Sequence, residues 1–115
     1  MTPEEFNETI ETYNEYLEKM ILAVKHFCED LQETDFKELG MTMPAIAEGL
    51  EWIYDAAGCF KDLGKINNTY YSSYEMIVKN LSEALENKDY MLLHDLMEFE
   101  LLPVLGEMRL TVESN

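Results

Sequence analysis

The two histidines, and the acidic residue four positions after each, are the side chains of this sequence best suited to holding a metal ion. His26 precedes Asp30 and His94 precedes Glu98 at this interval, so each pair shares one face of a helix. Imidazole and carboxylate groups together bind transition metals. A carboxylate-bridged di-metal bundle also requires Glu-x-x-His motifs, and none is present. We therefore expect no metal and no cofactor, with His26, Asp30, His94 and Glu98 as one alternative metal site.

A second set of carboxylates, Glu48, Glu51 and Asp55, follows the spacing of one helix face. The run Glu48-Gly-Leu-Glu51 resembles the first half of the Glu-x-x-Glu and Glu-x-x-Asp pairs with which all-α nucleotide pyrophosphohydrolases hold magnesium. The only Glu-x-x-Asp in the chain, Glu86-Asn-Lys-Asp89, crosses a predicted turn. A metal-dependent all-α hydrolase that uses Glu48, Glu51 and Asp55 is thus the alternative function.

The sequence offers no support for covalent catalysis. Cys28 and His26 are two residues apart on one predicted helix and point in different directions, and neither Gly-x-Ser-x-Gly nor a glycine-rich phosphate loop is present. Cys28 and Cys59 lack a Cys-x-x-Cys spacing, and both fall on apolar helix faces. This pattern predicts buried thiols rather than a disulfide or a metal site. We expect a protein that is not an enzyme.

The charge of the chain disfavours one large class of partner. The 24 acidic and 8 basic residues give a formal net charge of −16, which repels nucleic-acid phosphates and anionic lipid headgroups. No run of about 18 apolar residues and no cleavable leader pattern is present. We expect a cytoplasmic protein that binds neither nucleic acid nor membrane.

Apolar residues at alternating steps of three and four predict four amphipathic helices, and no segment shows the alternation of a strand. We expect helix 1 from about Pro3 to Glu33, helix 2 over about 43–63, helix 3 up to about Asn87, and helix 4 after Asp89. Short connections place successive helices antiparallel. The predicted fold is all-α, an antiparallel up-down-up-down four-helix bundle with a long N-terminal helix, in a single domain over residues 1–115.

Each predicted helix has one apolar face that should form the core. The members of these four faces are Phe6, Ile10, Tyr13, Leu17, Met20, Val24, Phe27 and Leu31; Met43, Ile46, Leu50, Ile53, Ala57 and Phe60; Tyr71, Tyr74, Val78, Leu81 and Leu85; and Leu93, Met97, Leu101, Val104, Met108 and Val112.

Glycine, asparagine and proline residues predict where helices begin, end or bend. Gly64 should end helix 2, and the asparagines of residues 65–69 should cap helix 3. Thr42 with Pro44 should begin helix 2, because proline is tolerated in the first turn of a helix. Pro103 lies inside helix 4 and should bend it. The bend either wraps this helix around the bundle or opens a binding notch at its end.

Helices 2 and 4 carry more apolar surface than a lone small bundle needs to hide. On helix 2, Gly49 and Ala56 form a shallow trough beside Trp52, and large aromatic anchors dominate interface energies. On helix 4, five residues remain once the core face is filled, namely Leu92, Leu96, Phe99, Leu102 and Leu105. We hypothesise that a protein partner or a second copy of the chain binds through helices 2 and 4. The candidate contacts are Trp52, Gly49, Ala56, Leu92, Leu96, Phe99 and Leu102, and a tight internal helix crossing at Gly49 is the alternative.

Two stretches of the chain resemble flagellin-type export chaperones. The first is TMPAIAEGLEWIYDAAGCF, whose residues 53–57 are similar to a Leu-Tyr-Asp-Gly-Ala core, and the second is LSEALENKDYMLLHDLM. The strong acidity and the long N-terminal helix depart from that family. The likeness is also compatible with a small uncharacterised family of four-helix proteins of Gram-positive bacteria. The chaperone resemblance implies a non-enzymatic protein that holds an aggregation-prone partner segment along helical grooves.

Overall fold

The computed structural model describes residues 2–32 and 36–111, and four helical rods make up most of this part of the chain. Helix α1 spans Pro3–Gln32, α2 spans Phe36–Asp62 and α3 spans Asn68–Glu86. The fourth rod consists of α4 (Tyr90–Asp95), a π-helical segment (Leu96–Leu101) and α5 (Leu102–Glu107), which together we call the fourth helix. The described residues contain no strand. The prediction of an all-α, four-helix fold is therefore confirmed.

The helices form a ring in which each has two neighbours. Helix α1 lies beside α2 and the fourth helix, and α3 lies beside the same two. Contacts between α1 and α2 run in opposite chain order, because Phe6 packs on Phe60 whereas Tyr16, further along α1, packs on the earlier residue Trp52. Within the described residues no Cα atom of α2 lies within 8 Å of a Cα atom of the fourth helix. These two helices therefore lie at opposite corners of the bundle.

The core between the helices contains most of the residues predicted for it. In α1 every predicted core residue is buried except Phe6, which is half-buried, and in α2 all six are buried. In the fourth helix the predicted core residues are also buried as far as Met108, and Val112 lies outside the described residues, as does Glu33 at the predicted end of helix 1.

The predicted core face of α3 is partly wrong. Tyr74 and Leu81 are buried as predicted, but Ile77 and Ala84 are the other two buried residues of this helix. Val78 is only half-buried, and Leu85 is 37% exposed. The reason is that Tyr74 and Leu81 belong to two overlapping apolar stripes, and α3 turns the one with Ile77 and Ala84 inward.

The turn after α2 forms as its sequence predicts. Gly64 adopts a positive φ of 75°, a conformation that glycine reaches without steric cost. Its N–H donates to the Lys61 carbonyl at 2.9 Å, and the Lys65 N–H donates to the Phe60 carbonyl at 2.8 Å, which closes the helix end. The Asn67 side chain then caps α3 by accepting from the Thr69 N–H at 2.7 Å.

The predicted start of helix 2 near residue 43 is wrong. Helix α2 begins at Phe36, so Pro44 lies inside it. A proline inside a helix removes one backbone donor and crowds the carbonyl four residues earlier, but Met43 before it and Ile46 after it are both buried in the core. Packing on this face therefore maintains the helix on both sides of Pro44.

The fourth helix continues through Pro103 by changing its pitch. The Leu102 N–H donates to the carbonyl of Met97, five residues earlier, and Pro103 then lies in the first turn of α5. A proline is tolerated there because its missing N–H is not required. The π-helical segment thus places Pro103 at a helix start within a continuous helix.

Core spacing in the fourth helix explains why the π-helical segment forms. Leu93, Met97, Leu101 and Leu105 follow one another at steps of four and are all buried. In a regular α-helix three such steps drift by about 120° around the axis. The wider π turns remove much of this drift, so all four side chains reach the core.

None of the described helices combines the length and the apolar character that a bilayer-spanning segment requires.

Candidate functional site

The predicted trough on α2 is filled by α1. Gly49 is buried, and a Cβ atom added to it would collide with the terminal methyl group of Met20. Trp52 is 42% exposed, and its ring packs on Tyr16 with 4.3 Å between centroids. Ala56 is half-buried. The proposed partner contact at Gly49 is therefore wrong, and the internal helix crossing is what the structure contains.

The apolar stripe predicted on the fourth helix is interrupted. Leu96 and Leu105 are buried, so their assignment to an open surface is wrong, and Leu102 is half-buried. Leu96 lies three residues after the buried Leu93, and Leu105 lies four residues after the buried Leu101, so each shares a helix face with a core residue. Only Leu92 and Phe99 of the predicted set remain exposed, at 45% and 68%. Since α2 lies at the opposite corner, another helix separates these residues from Trp52.

The structure does not assemble the alternative set of His26, Asp30, His94 and Glu98. Within residues 2–32 and 36–111, no three His, Cys, Asp or Glu side chains are grouped closely enough to hold a metal ion. His26 Nδ1 lies 3.8 Å from Glu29 Oε2 on the solvent side of α1, whereas His94 Nε2 lies 3.3 Å from Glu98 Oε2. Only the pair on the fourth helix is in contact.

Glu48, Glu51 and Asp55 are exposed on α2. They are likewise not part of a metal-binding group in the described chain. Glu51 instead lines a groove between α2 and α3.

The two cysteines have different environments, so the prediction that both thiols are buried is wrong for Cys59. Cys28 is buried and Cys59 is exposed, because Cys59 is turned about 100° away from its inward-facing neighbour Phe60. Cys28 borders a pocket of about 150 Å³ that His94 and Glu98 also line. Burial, with the nearby carboxylates of Glu98 and Glu29, raises the pKa of Cys28 to about 11.

A groove of about 420 Å³ lies between α2 and α3. Its floor and walls are mostly apolar, and its charged residues are two glutamates and one lysine. The lining consists of Met43, Ala47, Leu50, Glu51, Tyr54, Glu75, Val78, Lys79, Leu81, Ser82 and Leu85. We call this site the α2–α3 groove.

One end of the α2–α3 groove is closed by tyrosines. The Tyr54 hydroxyl donates to Glu75 Oε2 at 2.5 Å, and its ring stacks on Tyr71 with 5.3 Å between centroids. Tyr71 approaches α2 closely at Gly58, where an added Cβ atom would lie 3.0 Å from the Tyr71 hydroxyl. The hydrogen bond to Glu75 is the largest cause of the raised pKa of Tyr54. These contacts hold α2 and α3 together at this end.

Beyond Tyr54 the same two helices leave a trough. Its α2 wall has the small exposed residue Ala47, and its α3 wall has Val78 and Leu85, which the rotation of α3 leaves outside the core. Leu50 and Leu81 are buried and form the floor. The signal that could have revealed this trough is the pair of overlapping apolar stripes on α3, since only one of them can face the core.

The lining of the α2–α3 groove is suited to holding apolar side chains. The hydroxyl group of its one serine, Ser82, donates to the Val78 carbonyl of the same helix at 3.2 Å. Glu51 and Glu75 stand beside the apolar walls, so the groove combines an apolar interior with carboxylates. Concave apolar sites with a few polar groups are the usual form of binding sites.

Comparison with known proteins gives one family. No curated protein and no solved structure matches the chain significantly. A match to a family described as "Domain of unknown function (DUF8042)" covers residues 8–111, which include most of α1, the other three helices and the whole α2–α3 groove. The chain therefore belongs to the DUF8042 family.

Proposed function

We propose that this protein is a non-enzymatic, cytoplasmic interaction protein that holds an apolar helical segment of a partner protein in the α2–α3 groove. The observation that carries the proposal is the apolar α3 wall, where Val78 and Leu85 are left outside the core beside a groove of about 420 Å³. The free energy falls when a partner covers apolar surface of this kind and removes it from water.

The shape of the groove favours a rod-shaped ligand. Its α3 wall runs from Glu75 to Leu85 and its α2 wall runs from Met43 to Tyr54. At 1.5 Å per residue these walls are roughly 15 Å long, or about three helical turns. A trough between two helices accepts the apolar face of a third helix, as in other helix-in-groove complexes.

A sequence resemblance also supports this class of function. The stretch from Thr42 to Phe60, which includes the α2 wall, resembles a helix of flagellin-type export chaperones, and such proteins hold partner segments along helical grooves. A chaperone-like or adaptor-like role is therefore our proposal.

Photo-crosslinking from the groove tests this function. Benzoylphenylalanine is introduced at Leu85 in one variant and at Met76 in a control, and each variant is expressed and irradiated in cells of the source organism. Met76 is 64% exposed on the same helix, and nine residues place it on the face of α3 about 180° from Leu85. We expect a discrete protein adduct from position 85 that position 76 does not give.

Circular dichroism of both variants verifies that they fold before the adducts are compared. The absence of any adduct from position 85, or the same adducts from both positions, would overturn the proposal. An adduct with twice the mass of the chain would identify self-association in place of a separate partner.

A further inference from the structure

The charges around the α2–α3 groove indicate what kind of helix it accepts. Three charged side chains line it, the carboxylates of Glu51 and Glu75 and the ammonium group of Lys79. Within the described residues Glu51 forms no ion pair, and Glu75 accepts only the Tyr54 hydroxyl. Each carboxylate therefore retains capacity for a cationic partner.

Acidic groups also surround the groove on both helices. Glu48 and Asp55 are exposed on α2 on either side of Glu51, and Glu83 and Glu86 are exposed near the open end of α3. The whole chain carries a formal charge of −16. A ligand that enters the groove thus meets a negative potential, which attracts lysine and arginine side chains.

Because one side of the groove is open to solvent, its occupant needs one apolar face and one polar face. The buried residues Leu50 and Leu81 form the floor, whereas Ala47 and Leu85 on the two walls are exposed to solvent. An inserted helix would bury one apolar stripe against the floor and leave its other side in water. This is the pattern of an amphipathic helix rather than of one that is apolar all round.

A second copy of this chain is a poor occupant on the same grounds. On its fourth helix the two most exposed apolar residues are Met91, one turn before Asp95, and Phe99, which is flanked by Glu98 and Glu100. Docking that face into the groove would bring these carboxylates towards Glu51 and Glu75, and like charges at an interface are unfavourable. A fatty acid would likewise bring its own carboxylate to an acidic site.

We infer that the occupant of the α2–α3 groove is a basic amphipathic α-helix of a partner protein. Its apolar stripe fills the trough above Leu50 and Leu81, and its lysine or arginine side chains pair with Glu51 and Glu75. This inference rests on the proposed function and adds the chemistry of the partner segment.

Three synthetic peptides test the inference with the full-length protein. Each has about 14 residues, or roughly four helical turns, with leucines in the same helical pattern. The polar positions are all lysine, all glutamine or all glutamate. Binding is measured by fluorescence anisotropy of a labelled peptide, and we expect the lysine peptide to bind at least about tenfold more tightly than the glutamine peptide. The glutamate peptide should bind most weakly.

Matched variants separate groove binding from general attraction to an acidic protein. Leu85→Glu and Met76→Glu each add one negative charge to an exposed position of α3. General electrostatic attraction would make both bind the lysine peptide more tightly. We expect Leu85→Glu to weaken binding about tenfold, because it places a carboxylate in the apolar trough, and Met76→Glu to leave the affinity within about twofold.

A second pair of variants tests the carboxylate contact. Glu51→Lys and Glu11→Lys change the net charge equally, and both residues are exposed. Only Glu51 lines the groove. We expect Glu51→Lys to weaken binding of the lysine peptide about tenfold and Glu11→Lys to weaken it by about twofold or less.

The outcomes distinguish the inference from the function on which it rests. If the glutamine or glutamate peptide binds as tightly as the lysine peptide and its binding is lost in Leu85→Glu, the groove is a helix-binding site but the basic partner is wrong. If no peptide is affected by Leu85→Glu more than by Met76→Glu, both the inference and the groove as the functional site are overturned.

Discussion

Two tyrosine side chains carry hydrogen bonds between helices inside the core. The Tyr74 hydroxyl of α3 donates to the Leu50 carbonyl of α2 at 2.6 Å, and the Tyr13 hydroxyl of α1 donates to the Met108 carbonyl at 3.2 Å. Both side chains are at most 1% exposed. A buried hydroxyl must find a partner, so these two bonds specify how neighbouring helices are aligned.

Replacing Tyr74 by phenylalanine tests the first of these bonds. The variant retains the ring but loses the donor to Leu50, and we expect the free energy of unfolding to fall by about 1 kcal/mol. Urea denaturation measures the change. The control is Tyr70→Phe, because Tyr70 is partly exposed near the start of the same helix. An equal effect in both variants would contradict a specific role for the Tyr74 bond.

The two buried tyrosines should make the stability of the protein depend on pH. Burial raises the pKa of Tyr74 and of Tyr13 above the ordinary value of 10.0. The folded state therefore keeps these protons at a pH where the unfolded state releases them, so their contribution is complete below about pH 10 and declines as the pH rises further. We expect the difference in unfolding free energy between the parent protein and Tyr74→Phe to shrink above about pH 10. A constant difference would argue against the protonated, buried phenol.

The two thiols should differ in reactivity. Cys28 is buried and its raised pKa of about 11 keeps the thiol protonated at neutral pH, whereas Cys59 is exposed. Because the thiolate is the nucleophile, we expect a disulfide reagent at about pH 8 to modify Cys59 in the folded protein and Cys28 only on unfolding. The Cys59→Ser variant isolates the slow reaction. Equal rates at the two positions would contradict the buried environment of Cys28.

At the scale of single helices, the spacing of apolar residues predicts that each helix forms, but it does not always predict which face of the helix is buried. Steps of three and four identified the core residues of α1 and α2, because one stripe dominates each helix. Helix α3 has two stripes that share Tyr74 and Leu81, and the choice between them depends on its neighbours in the fold. The groove follows from this choice, so Val78 and Leu85 could not be assigned from their own helix alone.

The sequence contains a residue pattern that indicates the π-helical segment. Successive steps of four at Leu93, Met97, Leu101 and Leu105 do not stay on one face of an α-helix. Together with Pro103, which cannot donate a backbone hydrogen bond, they favour a local change of pitch. The prediction of a bend takes account of the proline but not of this spacing.

Deletion of one residue tests whether the π-helical segment is equivalent to a single insertion in an α-helix. Removing the exposed residue Phe99 shortens the step from Met97 to Leu101 from four residues to three. The core residues of the fourth helix would then follow one another at steps of four, three and four, which keep them on one face of an α-helix. Pro103→Ala is combined with it, because proline within an α-helix costs about 3 kcal/mol. We expect this double variant to unfold cooperatively, with a free energy of unfolding within about 1–2 kcal/mol of the parent value, as measured by circular dichroism in urea.

The control for this deletion is removal of Met76, an exposed residue of the regular helix α3. That deletion rotates Ile77, Leu81 and Ala84 by about 100° relative to Tyr74. We expect a loss of more than about 3 kcal/mol, or no cooperative folding. If the double variant lacking Phe99 were equally destabilised, the π-helical segment would have a role beyond accommodating the extra residue.

At the scale of the whole molecule, the order of the helices around the bundle decides which surfaces are continuous. Trp52 on α2 and Phe99 on the fourth helix are both exposed, as expected for apolar residues outside the core. Their helices lie at opposite corners, so another helix separates these two exposed residues within one molecule. Spacing within each helix does not contain this information, since it depends on how all four pack together.

The negative charge of the whole molecule should affect its stability, and this effect should depend on the salt concentration. Across residues 2–32 and 36–111 few ion pairs offset the formal charge of −16, among them Arg109 with Glu18 and Lys61 with Asp62. Carboxylates crowded on one small bundle repel each other more strongly in the folded state than in the expanded chain. Salt screens this repulsion, since the Debye length falls from about 30 Å at 0.01 M to about 3 Å at 1 M.

We therefore expect the Tm to rise by about 5 °C or more between low salt and roughly 0.5 M NaCl, which corresponds to about 1 kcal/mol for a domain of this size. Thermal denaturation followed by circular dichroism measures this change. The double variant Glu11→Lys and Glu15→Lys, at exposed positions of α1, lowers the negative charge and should show a higher Tm at low salt and a smaller rise with NaCl. A Tm that stays constant or falls as NaCl is added would mean that local ion pairs outweigh the repulsion of the whole molecule.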